Sequence, residues 1–567
     1  MNSRALPNVG ADALGAARPH IPTLLLLVSA AVLCIFMLAP IGTLLIGSLR
    51  DDQGLWSFTR FVEFAATPGV GTATWNTLWV AALVTLITVP LAFVYAYALQ
   101  RACLPLGGMW RIVGLSALAG PSLVGAIAFI QWFGTQGVLK SWLGANTVYG
   151  PIGITMATVY ASFPHALMLL VVALATTDGR LYEAADAMGA SRWRKFRTIT
   201  LPGAKYGLIS AALVVFSYSV SEFGIPKVIG GNFPVLAVEI YIQVVGMHNF
   251  GRGAVVALLL LAPVLMAFAA DWYVQRKQHS SLSARAVPYV PKPDRKRDLP
   301  LLLYCGLVGV VMLSMLGMAA YTSLVRLWPY NLELTLGHYL FGLAEAGVLS
   351  AYLNSLTIGA LTALVGTPFI FVTAYLVEKT HTGPTWLRPG IRALATLPMG
   401  VPGLVLGIGY ILFFNAPANP LNGMYQTLAI MVVANVVHYY TSCHLTALTA
   451  LKSIDREFEA VSASLRVSQA TTFWRVTLPI CLPGVLEIAR YLFINAMTTV
   501  SALVFLYSPS TMPASVSILH LDESGDLGPA AAMATLIVLT TIAVSILYSI
   551  ATHYLLRHHQ AWRQLTR

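Results

Sequence analysis

Two short segments hold the residues best placed to receive a closely packed partner. The first, DGRLYEAADAMGASRWRKFRTITLP, runs from Asp178 to Pro202, and the second, DREFEAVSASLRVSQATTFWRVTLP, runs from Asp455 to Pro479. In the first, Asp178 has the side chain of a helix N-cap. Leu181, Ala184, Ala185 and Met188 follow at helical spacing as one apolar face. Gly189 interrupts, and glycine readily takes the left-handed conformation that ends a helix. Ser191 is suited to cap a second short helix. There Trp193, Phe196 and Thr200 share a face amid Arg192, Arg194, Lys195 and Arg197, and Pro202 closes the unit. The expected product is a helix–glycine–helix hairpin whose small residues let a partner pack closely. An interfacial hairpin on anionic headgroups is the alternative; recurrence of the pattern in the second segment weighs against it.

Other chemistry is sparse. Glu222, Lys227, Glu487 and Arg490 stand in apolar surroundings, where ionisable residues are functional candidates. Glu487 and Arg490 are three apart and share a helix face, so a self-satisfied pair is favoured over a solute path. His438, Tyr439 and Tyr440 are candidates to line a path, with packing the more ordinary role. No G-x-x-x-x-G-K-[ST] loop occurs, so nothing here cradles a nucleotide phosphate. Cys34, Cys103, Cys305, Cys443 and Cys481 form neither a disulfide framework nor a zinc signature. No cofactor is called for, and clustered acid–base or metal spacing for a membrane enzyme is missing.

The elements that must position these residues are membrane spans. Of 567 residues, 57% are apolar and 10% charged, against about 25% charged in soluble domains. With about 20 residues per span, about 12 spans are expected, near 22–48, 75–100, 112–132, 151–175, 204–229 and 253–274, then 301–323, 353–377, 394–414, 424–449, 482–507 and 529–555. They should be helices, because lipid satisfies no backbone groups. The apolar run from Ile21 to Leu49 is too long for a signal-peptide core and reads as a retained first span. One side collects most of the Lys and Arg, including Arg101, Arg192, Arg194, Lys195, Arg197, Lys379, Arg392, Lys452 and Arg466. The other holds Arg50, Arg60, Lys140, Lys227, Arg252 and Arg326. The positive-inside rule then puts both hairpins and both termini in the cytoplasm. The net charge of +12 sorts with topology rather than pointing to nucleic acid. The organisation expected is an N-terminal segment 1–20, a first transmembrane domain 21–276, a basic Pro- and Ser-containing linker 277–299 and a second transmembrane domain 300–567.

The two halves repeat. Asn76, Pro90 and Tyr97 match Asn354, Pro368 and Tyr375, each 278 residues later, and Pro202 matches Pro479 at 277. Six spans separate equivalent points, so the repeat is parallel, about an axis along the membrane normal.

The order E-A-A, three residues, G, nine residues, I-x-L-P resembles the EAA motif of ABC importer permeases. Glu183, Ala184, Ala185, Gly189, Ile199, Leu201 and Pro202 match it. The resemblance implies an all-α polytopic membrane protein with two parallel six-helix permease repeats, the type I importer fold. It also implies that each hairpin is a coupling helix docked on a separate ATP-binding cassette ATPase dimer, with a periplasmic or lipid-anchored binding protein delivering solute. In the second hairpin Arg466 stands at the place of Gly189 and Ala460 at that of Glu183, with Glu459 one residue earlier. Leu465, Ser468, Phe473, Val476, Leu478 and Pro479 keep the pattern. This implies unequal docking and leaves no glycine for the turn. Fused double permeases include iron(III), thiamine and 2-aminoethylphosphonate importers. The segments Ser221–Gly231, Arg490–Pro509 and that beginning at Ser515 resemble the 2-aminoethylphosphonate group. A path containing Lys227 and Arg490, with Glu222 nearby, suits that anionic or zwitterionic solute. The rival class, a 6+6 ion-driven transporter, predicts midplane coupling carboxylates and no such hairpins.

Overall fold

The computed structural model describes residues 20–50, 55–67, 69–144, 146–281, 287, 289–340, 347–380, 383–455 and 457–559. The expected N-terminal segment, linker residues 282–286 and 288, and Arg456, Arg563 and Arg567 lie outside them.

The chain is helical, with one small exception: an antiparallel pair of strands, Val325–Leu327 and Asn331–Leu334. Among the described residues, nine helices are long and apolar enough to cross a membrane, and two bent pairs raise the total to eleven. The expected twelve assumed a continuous third span in each half. In the first half, Gly107–Gly114 and Ser122–Phe133 are separate helices. In the second, Leu387–Gly400 and Gly403–Phe414 meet at 112°. Pro121 and Pro402 stand at these breaks in extended backbone, and each starts the helix that follows. Proline has no N–H for the preceding turn and disfavours helix in the residue before it. The span at 424–449 is also bent, by 56°, between Leu428–His438 and Tyr440–Lys452.

The repeat seen in the sequence has a physical basis. The Asn76 amide donates to the Pro234 carbonyl at 3.0 Å, and the Asn354 amide to the Met512 carbonyl at 3.1 Å. Next to them, the Thr77 and Ser355 hydroxyls accept from the Leu236 and Ala514 N–H groups at 2.9 and 2.7 Å. Each half therefore ties one end of a long helix to a later short helix in the same way. Those long helices, Val70–Arg101 and Val348–Lys379, have 32 residues each, about 48 Å at 1.5 Å per residue. The hydrocarbon core is about 30 Å thick, so their ends stand clear of it.

The first helix of each half packs on the other half. In Ile21–Ser48, the Phe36 carbonyl accepts from the Tyr410 hydroxyl at 2.6 Å, and the Phe36 ring stacks on Phe414 at 5.9 Å. In Arg295–Leu324, the Tyr304 hydroxyl donates to the Leu91 carbonyl at 2.7 Å, and the Ser314 carbonyl accepts from the Trp132 indole at 3.4 Å. The last helices cross over likewise. A side chain at Gly120 would lie 2.7 Å from Val538, and one at Gly400 would lie 3.2 Å from Leu265. A larger residue at either position would make the facing side chain shift.

The helices Phe250–Ser281 and Arg295–Leu324 extend into the region read as linker. Of the residues between these helices, 287 and 289–294 are described and are not helical. They lie at the same end of the molecule as the first hairpin.

Candidate functional site

Both hairpins form as the residues dictate. The Asp178 carboxylate accepts from the Arg180 N–H at 3.1 Å, capping the helix Gly179–Ala187. Gly189 is left-handed with φ 69°, and the Ala190 N–H returns to the Ala185 carbonyl at 2.9 Å. Ser191 caps the next turn through the Arg194 N–H. In the second hairpin, Asp455 and Ser468 accept from the Glu457 and Thr471 N–H groups at 3.2 and 3.1 Å. The Val467 N–H returns to the Ser462 carbonyl at 2.9 Å. The glycine-type turn survives without glycine: Arg466 itself adopts φ 55°.

Pro202 and Pro479 explain the next feature. A helical proline displaces the carbonyl four residues back and supplies no N–H. In both halves the preceding turn widens to a π-helix, Phe196–Thr200 and Phe473–Thr477. That widened turn presents an aromatic ring to the long helix. Phe196 meets Phe93 and Tyr97 with ring centroids 6.2 and 5.8 Å apart, and Phe473 meets Phe371 and Tyr375 at 6.1 and 4.7 Å. The conserved spacing of the repeat thus seats one ring of each hairpin on the projecting end of a span.

The expected apolar face divides. Ala185 is buried with Tyr182, whereas Leu181 and Met188 are 54% and 78% exposed and Ala184 lies beside them at the surface. The equivalent residues Phe458, Val461 and Leu465 are also exposed. Each hairpin therefore offers an apolar stripe outward. Glu183 is exposed next to its stripe. Glu459 differs: it pairs with Lys379 at 2.5 Å. By the repeat, Lys379 and Glu459 occupy the places of Arg101 and Tyr182, which also touch, at 3.3 Å. Glu459 thus replaces Tyr182 in binding the hairpin to its span and is no substitute for Glu183.

A second feature lies between the halves. A cavity of about 390 Å³ has walls from both, including His165, Tyr218, Glu222 and Asp271 from the first and His438, Tyr439, Tyr491 and Asn495 from the second. Glu222 accepts from the Ser122 hydroxyl at 2.8 Å and the Ile225 N–H at 3.3 Å. Asp271 is held by Ser210 and Gln275 at 2.5 and 2.6 Å. Among the described residues no Lys or Arg lines it. Of the three path candidates, only Glu222 lines this cavity. Lys227 pairs with Glu523 at 2.7 Å, over the ring of Tyr241, and Arg490 pairs with Glu487. His438 and Tyr439 line the cavity, while Tyr440 is buried against Phe369. Among the described residues no group of three His, Cys, Asp or Glu is set to hold a metal ion.

The fold and the paired hairpins define a duplicated, multi-pass membrane protein with one projecting hairpin in each half. The family model for the binding-protein-dependent transport system inner membrane component matches residues 105–279 and again 366–557. The chain belongs to that family and carries two copies of its unit. It is an inner-membrane permease subunit of an ABC importer, not itself an enzyme; ATP hydrolysis lies on a separate subunit, and a solute-binding protein serves it. It is similar to the ferric transport system permease protein FbpB of Actinobacillus pleuropneumoniae, 26% identical over 83% of this chain and 70% of that one. It is also similar to a probable ABC transporter permease protein, y4fN, of Sinorhizobium fredii, 23% identical over 91% and 93%. The molybdenum transport system permease protein ModB of Azotobacter vinelandii is 29% identical over 94% of its own length but only 36% of this chain, as expected when one half here corresponds to a whole relative.

Proposed function

We propose that this chain is the fused permease of an importer that carries iron(III) into the cytoplasm. The observation that carries the choice of solute is the charge of the interface cavity. Among the described residues its lining holds two carboxylates, Glu222 and Asp271, several tyrosines and no Lys or Arg. Carboxylate and phenolate oxygens suit a hard cation, and a cavity lined by one sign of charge concentrates the opposite sign. The printed name of the Actinobacillus relative supports the same reading. The hairpins, through Glu183, Ala184, Ala185, Gly189 and Pro202 in one and Leu465 and Pro479 in the other, dock on an ATP-binding cassette dimer at the cytoplasmic face, where both termini also lie. A periplasmic or lipid-anchored protein delivers the solute at the opposite face. The two permease domains and the linker between them take the boundaries read from the sequence.

The 2-aminoethylphosphonate reading rests on the resemblance of three segments. The residues that favoured it, Lys227 and Arg490, are tied in ion pairs away from the cavity. Thiamine, also a cation, fits the cavity charge as well. The test is uptake by the complete transporter in proteoliposomes with its own ATPase and binding protein, offered each solute. Iron(III) uptake is expected, falling about tenfold, the equivalent of 1.4 kcal/mol, in Glu222→Gln. Uptake of 2-aminoethylphosphonate or thiamine without iron would overturn the solute and leave the permease standing.

A further inference from the structure

The connection between the halves does more than join them. Residues 287 and 289–294 lie across the first hairpin. The Val287 carbonyl accepts from the Gly179 N–H at 2.8 Å, and the Val287 N–H donates to the Asp178 carboxylate at 3.3 Å. Asp178 therefore caps its helix and holds the connection with the same oxygen. Tyr289 lies 4.6 Å from Tyr182, ring to ring. Further along, the Cys103 thiol donates to the Pro291 carbonyl at 3.2 Å, and Asp294 pairs with Arg192 of the hairpin's second helix.

Arg101 sits at the centre of these contacts. It is buried at the end of the Val70–Arg101 span, and its guanidinium lies 5.0 Å from the Tyr182 ring and 4.8 Å from the Tyr289 ring. It also donates to the Tyr182 hydroxyl and, at 2.7 Å, to the Leu174 carbonyl at the end of another span. One cation thus joins two spans, the hairpin and the connection. A guanidinium between aromatic faces is favoured most where water is excluded. The second hairpin has the Lys379–Glu459 pair at the equivalent place. The connection occurs once in the chain, and its described residues lie on the first hairpin.

We propose that the connection is a strap that positions the first hairpin, with Tyr289 as its positioning residue. The strap completes a socket around Arg101, so that movement of the hairpin is passed to two spans together rather than lost in rotation of the hairpin alone. The first hairpin transmits through this strapped socket, and the second through its ion pair. The proposal rests on the reading of the hairpins as the ATPase contact.

Hydrogen exchange on the complete transporter tests the strap apart from that reading. The amides of Gly179 and Val287 should be protected in the unaltered protein; exchange of both at free-chain rates would overturn the proposal without any variant. In Tyr289→Ala, exchange across 179–187 should rise about tenfold through loss of the ring stack and the cation–π contact, with 457–464 unchanged. ATP hydrolysis stimulated by the binding protein should fall by a similar factor while unstimulated hydrolysis holds, and Tyr289→Phe should restore it. Unchanged stimulation in Tyr289→Ala would overturn the positioning role. If instead Met188→Asp, on the exposed stripe, leaves stimulation intact, the hairpin is not the ATPase contact, and that earlier reading fails rather than the strap.

Discussion

Arg466 holds the same left-handed backbone as Gly189, 277 residues earlier, with φ 55° against 69°. The turn is imposed by its surroundings, the returning N–H bonds of Val467 and Ala190, and not by glycine alone. A residue with a Cβ is held there at a cost of about 1 kcal/mol. Arg466→Gly should therefore leave thermal stability unchanged or slightly raised, and Gly189→Ala should lower it by about 1 kcal/mol. Melting of the purified transporter measures both, and equal losses in the two variants would show that the turns are not equivalent.

Phe196 and Phe473 are the rings through which each hairpin touches its long span. Phe196→Ala and Phe473→Ala should each cost roughly 1–3 kcal/mol, below the 3–5 of a full core site, because both rings are only partly buried. Solute uptake should fall more than ATP hydrolysis, since the contact lies between motor and span. Measuring the ratio of solute moved to ATP consumed decides the point: an unaltered ratio in both variants contradicts this role.

Glu183 and Glu459 should behave differently. Glu183→Ala should reduce stimulated ATP hydrolysis and leave stability within about 0.5 kcal/mol, as for exposed positions generally. Glu459→Ala strands the Lys379 ammonium, whose side chain is 8% exposed while that of Glu459 is 42% exposed, and should cost about 1 kcal/mol, since the half-exposed partner leaves the pair between the surface and the buried case. Lys379→Met in the Glu459→Ala background should recover part of it. Matching effects of the two glutamate substitutions would refute the assignment of Glu459 to the span.

At the opposite end, Glu523 bonds Lys227 across the halves, with His520 beside it and Tyr507 on His520. Burial, and then the neighbouring Glu523 charge, raise the Asp522 carboxyl from 3.8 to about 6, against a smaller opposing pull from Lys227. An acid whose folded pKa is raised weakens the fold when it ionises. Its contribution is present below pH 4 and is lost as pH rises from about 4 to 6. Relative to the unaltered chain, Asp522→Asn should add roughly 1–2 kcal/mol at pH 7 and nothing at pH 4. The difference between the two proteins across this range is the quantity to follow. A pH-independent difference would contradict the assignment to Asp522.

The repeat was legible because it is local and physical: Asn76 and Asn354 make the same backbone tie in both halves. The hairpins were legible for the same reason, since caps, turn and proline act within a few residues. The Glu487–Arg490 pair followed from helical spacing. What escaped depends on distant packing. Lys227 was read as a path residue, but its partner Glu523 lies in the other half. The cavity residues Tyr218, Tyr491 and Asn495 have no mark in the sequence, because which face of a helix meets the pseudo-axis is set by its neighbours. Hydropathy also passes over bends, so the breaks at Pro121 and Pro402 were counted as continuous spans. The left-handed turn at Arg466 is not legible either, because the sequence shows a missing glycine and not the backbone that its surroundings impose.

Glu222 and Thr499 end equivalent helices, 277 residues apart, and both line the interface cavity. A half-size protein that pairs with itself must present the same side chain on both walls, so a carboxylate there would face its own copy, and like charges in one site resist ionising together. Fusion removes that constraint. With both halves in one polypeptide the stoichiometry is fixed at one to one, and a mutation on one wall is not copied to the other. The acid of Glu222 and the hydroxyl of Thr499 are then the mark of a gene duplication that has been free to specialise its two sides.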